Sequence, residues 1–113
     1  MAEDFLYLST RGRKTGHIRR IEIWFVERAG RYYMVSEMRE RSHWVQNIQV
    51  EPQVSFSVGT RARQTATLPA TGAIGRIVSP TDEPVIWREV CALMDAKYGW
   101  SDGLVVELTP LER

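Results

Sequence analysis

Arg11-Gly12-Arg13-Lys14-Thr15-Gly16-His17-Ile18-Arg19-Arg20-Ile21-Glu22-Ile23-Trp24-Phe25-Val26 joins a glycine-bracketed basic turn to a long apolar run. From Ile18 to Val26 the chain is rich in β-branched and aromatic residues, which predicts a strand. Alternation would put Ile21, Ile23 and Phe25 on one face and Arg20, Glu22 and Trp24 on the other. Before the turn, Phe5 to Thr10 is a short apolar run and reads as a first strand. After it, Arg28-Ala29-Gly30 predicts a hairpin loop, with Arg31 to Ser36 returning as a third strand.

The pattern continues in the same manner. Glu37 to Arg41 reads as a charged loop. Ser42 is placed to cap a short helix through Gln49, which must end before Pro52. Val54, Phe56 and Val58 alternate with Ser55 and Ser57, the mark of a half-buried strand. Arg61 to Pro69 reads as the next strand, continuing past Gly72 to Ile77. Pro80 to Pro84 opens a helix whose buried stripe would be Ile86, Val90, Leu93 and Met94, fading at Gly99. Leu104 to Leu108 is the last strand, with Leu104, Val106 and Leu108 on one face. Strands joined mostly by hairpins, with two helices, predict a mainly β fold: a small barrel with flanking helices.

The 113 residues suit a single domain, 1–113, with 43% hydrophobic and 26% charged residues, a globular and soluble composition. No run approaches the ~18 apolar residues of a membrane span. Met1 to Asp4 lacks the order of a secretory leader, and the lone cysteine, Cys91, fits a reducing cytoplasm and a small buried hydrophobe. Two histidines, His17 and His43, beside that cysteine make a zinc site unexpected, and no metal is assigned. No nucleophile stands beside a base, so no catalytic side chain is assigned.

Net charge is +1, yet residues 1–63 hold eleven Lys/Arg against seven Asp/Glu. The densest part is Arg11 to Arg20, with five Lys/Arg in Arg11, Arg13, Lys14, Arg19 and Arg20 and no acid. Glycines let a backbone approach an anion closely and aim N–H groups at it. Arg13 and Lys14 could reach a phosphate from the turn, Thr15 adds a hydroxyl, and Arg19 could meet it from the strand. A solvated basic hairpin is the other reading. Trp44 and Asn47 lie three apart on the first helix and share a face. There Trp44 either stacks on a flat ligand or packs the helix onto the barrel, and Asn47 either bonds that ligand or serves the local structure. Tyr98 and Trp100 could line a pocket mouth or cover the barrel end.

The turn Thr10-Arg11-Gly12-Arg13-Lys14-Thr15-Gly16 with Arg19 beyond it, then Ser36, Trp44, Asn47 and Glu51-Pro52-Gln53, resembles the ordered motif of the deazaflavin-dependent nitroreductases over about residues 5 to 60. These are split β-barrel proteins related in fold to the pyridoxamine 5'-phosphate oxidase-like, FMN-binding group. The resemblance implies coenzyme F420 as cofactor, an 8-hydroxy-5-deazaflavin. It implies Arg13, Lys14, Thr15 and Arg19 as contacts to the cofactor's phosphate and acidic tail. Ser36 and the loop after it would lie along the ring, with Trp44 and Asn47 supporting that loop. The implied reaction is hydride transfer from the reduced ring to a quinone, nitro compound or activated alkene, with the cofactor carrying the chemistry. A homodimer is the expected assembly. FMN is the alternative cofactor, and a non-catalytic barrel for an anionic ligand or RNA is the alternative function, with nucleic acid disfavoured by the near-zero net charge. Two positions depart from the family: Glu22 stands where proline is usual, and Glu37-Met38-Arg39 replaces a Gly-Gly pair.

Overall fold

A computed structural model describes residues 4–60 and 70–111. In chain order it contains β1 (Asp4–Arg11), β2 (Ile18–Ile23), β3 (Val26–Arg28), β4 (Arg31–Ser36), a 3-10 turn (Arg39–Arg41), α1 (His43–Val50), β5 (Gln53–Thr60), β6 (Thr71–Val78), α2 (Pro84–Tyr98) and β7 (Leu104–Pro110). The seven strands form one sheet in the order β2-β1-β5-β6-β7-β4-β3. Every neighbouring pair is antiparallel.

The long strand expected over Ile18 to Val26 is two strands. It breaks at Trp24 and Phe25, and its halves sit on opposite edges of the sheet. This break makes the fold. Six strand spacings of ~4.8 Å would hold the edges of a flat sheet ~29 Å apart. The step from Ile23 to Val26 can span at most ~11 Å. The sheet therefore has to roll until its edges meet, giving the split β-barrel. The part of the next strand expected at Arg61 to Pro69 lies outside the described residues, and β6 begins at Thr71.

Inside the barrel the period-2 pattern holds. Leu6, Leu8, Met34, Val54, Phe56, Val106 and Leu108 pack together, with Ile21 and Ile23 against them. α1 adds Val45 and Ile48 to this core, which anchors that helix by its apolar side. Outside the barrel, α2 lays Val90 and Met94 on Tyr33, Val35, Val78 and Val105. Leu93, expected in that stripe, is 39% exposed and faces away from it. Cys91 is half-buried against the same cluster, and burial pushes its thiol up.

Tyr98 and Trp100 hold the strand break. Tyr98 stacks on Trp24 with ring centroids 4.4 Å apart and planes 2° from parallel. The Tyr98 hydroxyl accepts from the Phe25 N–H at 3.1 Å and donates to the Phe25 carbonyl at 2.9 Å. It thereby satisfies backbone groups at the point where the chain changes edges. Tyr98→Phe is expected to lower stability by about 1–2 kcal/mol, since the Phe25 N–H loses its acceptor, while the carbonyl keeps Lys97 Nζ at 2.9 Å. Denaturant unfolding would show a shifted midpoint at unchanged m; an unshifted midpoint would mean that the break holds without the hydroxyl.

Candidate functional site

The β1–β2 connection folds back on itself at the sheet edge. Gly12 N–H donates to the His17 carbonyl at 2.7 Å, and Gly16 N–H to the Gly12 carbonyl at 2.8 Å. Gly16 sits at φ +79°, a conformation that a side chain would strain. Thr15 Oγ1 accepts from the His17 N–H at 3.2 Å, so this hydroxyl serves the turn as well as facing outward.

The cations of the basic stretch are spent differently. Arg11 Nη1 donates to the Gly16 carbonyl at 2.9 Å. Arg13 Nη1 donates to Asn47 Oδ1 at 2.9 Å. The Arg20 guanidinium lies over the Tyr7 ring, 4.7 Å from its centroid. Among the described residues, Lys14 and Arg19 have no such partner, and both are exposed. They line a cleft of about 840 Å³ together with Thr10, Gly12, Arg13, Thr15, Ser42, His43, Trp44 and Asn47. Six of the seven expected site residues thus line one cleft.

The seventh, Ser36, lines a neighbouring cleft of about 640 Å³. Its walls include Phe5, Trp24, Trp44 and Trp100, with Glu22, Glu37 and Met38 beside them. Ser42 and Trp44 belong to both clefts. Trp44 is half-buried and also packs on the barrel core, so it supports α1 and walls the clefts at once. The Ser36 hydroxyl is turned into its own loop: it donates to the Arg39 carbonyl at 3.0 Å and lies 2.7 Å from Ser42 Oγ. Ser42 stands at the N-cap position of α1 without a side-chain cap bond, because its hydroxyl is engaged with Ser36.

Glu37-Met38-Arg39, where the resemblance would put paired glycines, opens the loop after β4. Arg39 has φ +56° there, the left-handed region, at a cost of roughly 1–2 kcal/mol for a residue with a side chain. Its guanidinium pairs with exposed Asp102 at 3.0 Å, tying this loop to the one before β7. Glu22 accepts a hydrogen bond from the Tyr7 hydroxyl at 3.0 Å, so this acid is held at the edge of the aromatic cleft.

Two contributors escaped the sequence reading. One is Ser42 as a wall of both clefts, which needs the docked position of α1. The other is Gly103. A Cβ there would lie 2.3 Å from the Ser36 carbonyl oxygen and 2.7 Å from Val35 Cγ1. Nothing in its local sequence marks it beyond a turn, since the clash is with a strand more than sixty residues away. Gly103→Ala is expected to push the end of β4 aside, costing about 1–3 kcal/mol as overpacking and disordering the Ser36 loop. A lowered melting temperature would check this; a variant as stable as the parent would show that the loop relaxes freely.

Among the described residues, no group of three or more His, Cys, Asp or Glu could hold a metal ion. Among the same residues no helix is long and apolar enough to cross a membrane.

A rolled antiparallel sheet with a basic cleft beside an aromatic one defines a split-barrel protein. The chain belongs to the F420H(2)-dependent quinone reductase family, whose model matches residues 1–99. Solved structures agree on the fold. The HutZ heme storage protein of Vibrio cholerae is 20% identical with a TM-score of 0.74, over 96% of this chain and 82% of its own. A Listeria innocua protein described as a candidate pyridoxamine 5'-phosphate oxidase is 11% identical with a TM-score of 0.71, over 96% and 84%. An F420 reductase is 14% identical with a TM-score of 0.60, over 96% and 86%. A search among curated proteins finds no match by sequence.

Proposed function

We propose that this protein is a reductase that binds reduced coenzyme F420 and passes a hydride to a quinone, nitro compound or activated alkene. The observation that carries this reading is that a basic cleft and an aromatic one lie side by side, sharing Ser42 and Trp44 as walls. The cofactor's anionic tail fits the cleft that holds Lys14 and Arg19, and its planar ring fits the cleft walled by tryptophans. When bound, the deazaflavin supplies the hydride, and the protein supplies position and polarity.

Each part of the chain has a task in this reading. Lys14, Arg19 and Thr15 bind the phosphate and acidic tail by charge-assisted hydrogen bonds. Arg13 and Asn47 shape the turn that presents them. Trp24, Trp44, Trp100 and Phe5 exclude water around the ring and orient it. Ser36 and Ser42 fix the backbone of the loop along the ring's edge. No side-chain nucleophile is required. The working assembly is a homodimer, in the cytoplasm, with the 113 residues as one domain.

The test is a paired titration of purified protein with coenzyme F420 and with FMN, followed by cofactor fluorescence at two salt concentrations. Saturable binding of F420, weakened by salt, and oxidation of the reduced coenzyme on adding menadione or a nitroarene are the expected results. Preference for FMN would move the protein to the flavin branch of the same fold. Binding of neither would overturn the reading.

A further inference from the structure

Asn47 lies 3% exposed beneath the basic turn, on α1, more than thirty residues from the turn in sequence. Its Oδ1 accepts two bonds from one residue: the Arg13 backbone N–H at 3.1 Å and Arg13 Nη1 at 2.9 Å. Its Nδ2 donates to Thr10 Oγ1 at 3.2 Å, and Thr10 is itself 2% exposed. An amide oxygen has two acceptor sites, so both are filled before any ligand arrives. The Arg13 guanidinium is drawn inward by the same contact, and its Nη2 faces His43 Nδ1 at 3.5 Å.

We infer that Asn47 is a positioning residue for anion binding: through Thr10 and Arg13 it ties the β1 side of the basic turn to α1 and turns the Arg13 guanidinium toward that helix, leaving Lys14 and Arg19 as the leading contacts to the anion. This deepens the reading above and rests on it. In the sequence Arg13 reads as a direct contact and Asn47 as either a ligand contact or a support, whereas the geometry makes the two one internal unit. The turn sits at a sheet edge, and among the described residues its bonds other than those to α1 lie within the turn itself. Tying it to α1, which is anchored in the core through Val45 and Ile48, orders the turn before the ligand binds. The ordering cost is then met in folding, not in binding.

The experiment is a double-mutant cycle with N47A and R13A, titrated with coenzyme F420 and separately with inorganic pyrophosphate. Each single variant is expected to lose about ten-fold in affinity, the scale of one lost hydrogen bond. The double variant should be no weaker than N47A alone, because N47A already removes the side-chain bond that R13A deletes. In turnover the KM for the reduced coenzyme should rise while kcat stays within about two-fold. Hydrogen exchange gives a ligand-free readout: the Arg13 amide should be protected in the parent and fast in N47A. Thr10→Val, which spares the Arg13 bonds, should cost only about two- to three-fold and guards against N47A failing to fold.

Additive losses in the double variant would overturn the inference, as would a folded N47A with parental affinity. An Arg13 amide that exchanges in the parent as fast as that of Lys14 would do the same. If the parent binds neither probe, the functional reading fails with it; binding by the parent with an additive cycle sinks the positioning role alone.

Discussion

Replacing Lys14 and Arg19 together by glutamine is expected to lower affinity for coenzyme F420 by about a hundred-fold or more, at unchanged melting temperature. Hydrogen bonds to charged groups contribute about 1.5–3 kcal/mol each, and two of them amount to at least two decades in Kd. Stability should hold because neither side chain has an intramolecular partner among the described residues. The same change at Arg11 or Arg20 is expected to act differently. Arg11 closes the turn on Gly16 and Arg20 covers Tyr7, so their loss should be felt in folding before binding. Salt dependence gives a second check. Exposed cations are screened over a Debye length of ~8 Å at physiological ionic strength, so parental binding should weaken as salt rises and that of K14Q/R19Q much less. A loss below ten-fold would mean that the cleft holds its ligand by other means.

Glu107→Ala is expected to destabilise the fold by about 3 kcal/mol or more, the scale of breaking a buried charged network. Glu107 is 1% exposed on the α2 side of β7. It accepts from the Tyr33 hydroxyl at 2.7 Å and from Arg76 Nε at 2.8 Å, and Arg31 lies 3.5 Å away. Arg76 reaches on to Glu83 at the start of α2, so one network ties β4, β6 and β7 to that helix. Alanine would leave the fully buried Tyr33 hydroxyl without its acceptor and Arg76 with one carboxylate instead of two. For a chain of this length the melting temperature should fall by about 10 °C or more. Glu107→Gln would keep the side-chain volume and one acceptor oxygen, and should cost less.

The same network sets the pH limits. Burial alone would push the Glu107 carboxyl up, but hydrogen bonds from Arg76 and Tyr33 and the charges of Arg76 and Arg31 hold it below its ordinary 4.5. Hydrogen bonding from Arg76 lowers Glu83 as well. A carboxyl lowered in the folded state stabilises above its unfolded value, and that stability is lost as pH falls from about 4.5 downward. At the alkaline end, burial first and then Glu107 raise the Tyr33 phenol above its ordinary 10.0. Stability held below pH 10.0 is therefore lost as pH rises past that value. In Glu107→Ala the acid limb should flatten while the alkaline limb persists, because burial of Tyr33 remains. An unchanged acid limb would place the acid sensitivity elsewhere.

Much of this molecule was legible in its residues, because the signals concerned are local. Alternation in Val54 to Val58 and in Leu104 to Leu108 reports which side chains enter the barrel, and both patterns hold. The Arg28 to Gly30 hairpin and the end of α2 at Gly99 follow from turn chemistry that needs no partner. The ordered motif of basic turn, serine, tryptophan and asparagine pointed to the family and to the six residues that line the basic cleft.

Other features lay beyond any local signal. Ile18 to Val26 reads as one strand, since β-branched and aromatic residues dominate it. Its break at Trp24 comes from closing a seven-stranded sheet and from Tyr98, which arrives seventy-three residues after Phe25 to bind its backbone. Likewise the sequence counts five Lys/Arg residues in Arg11 to Arg20 but not their uses. Folding brings Asn47, Tyr7 and the Gly16 carbonyl within reach of three of them and leaves Lys14 and Arg19 without such a partner among the described residues. By itself the sequence determined the strand faces, the turns and the basic, aromatic character of the site. The tertiary structure decided which edges meet and which charges stay free, because both depend on groups far apart in the chain that only packing makes neighbours.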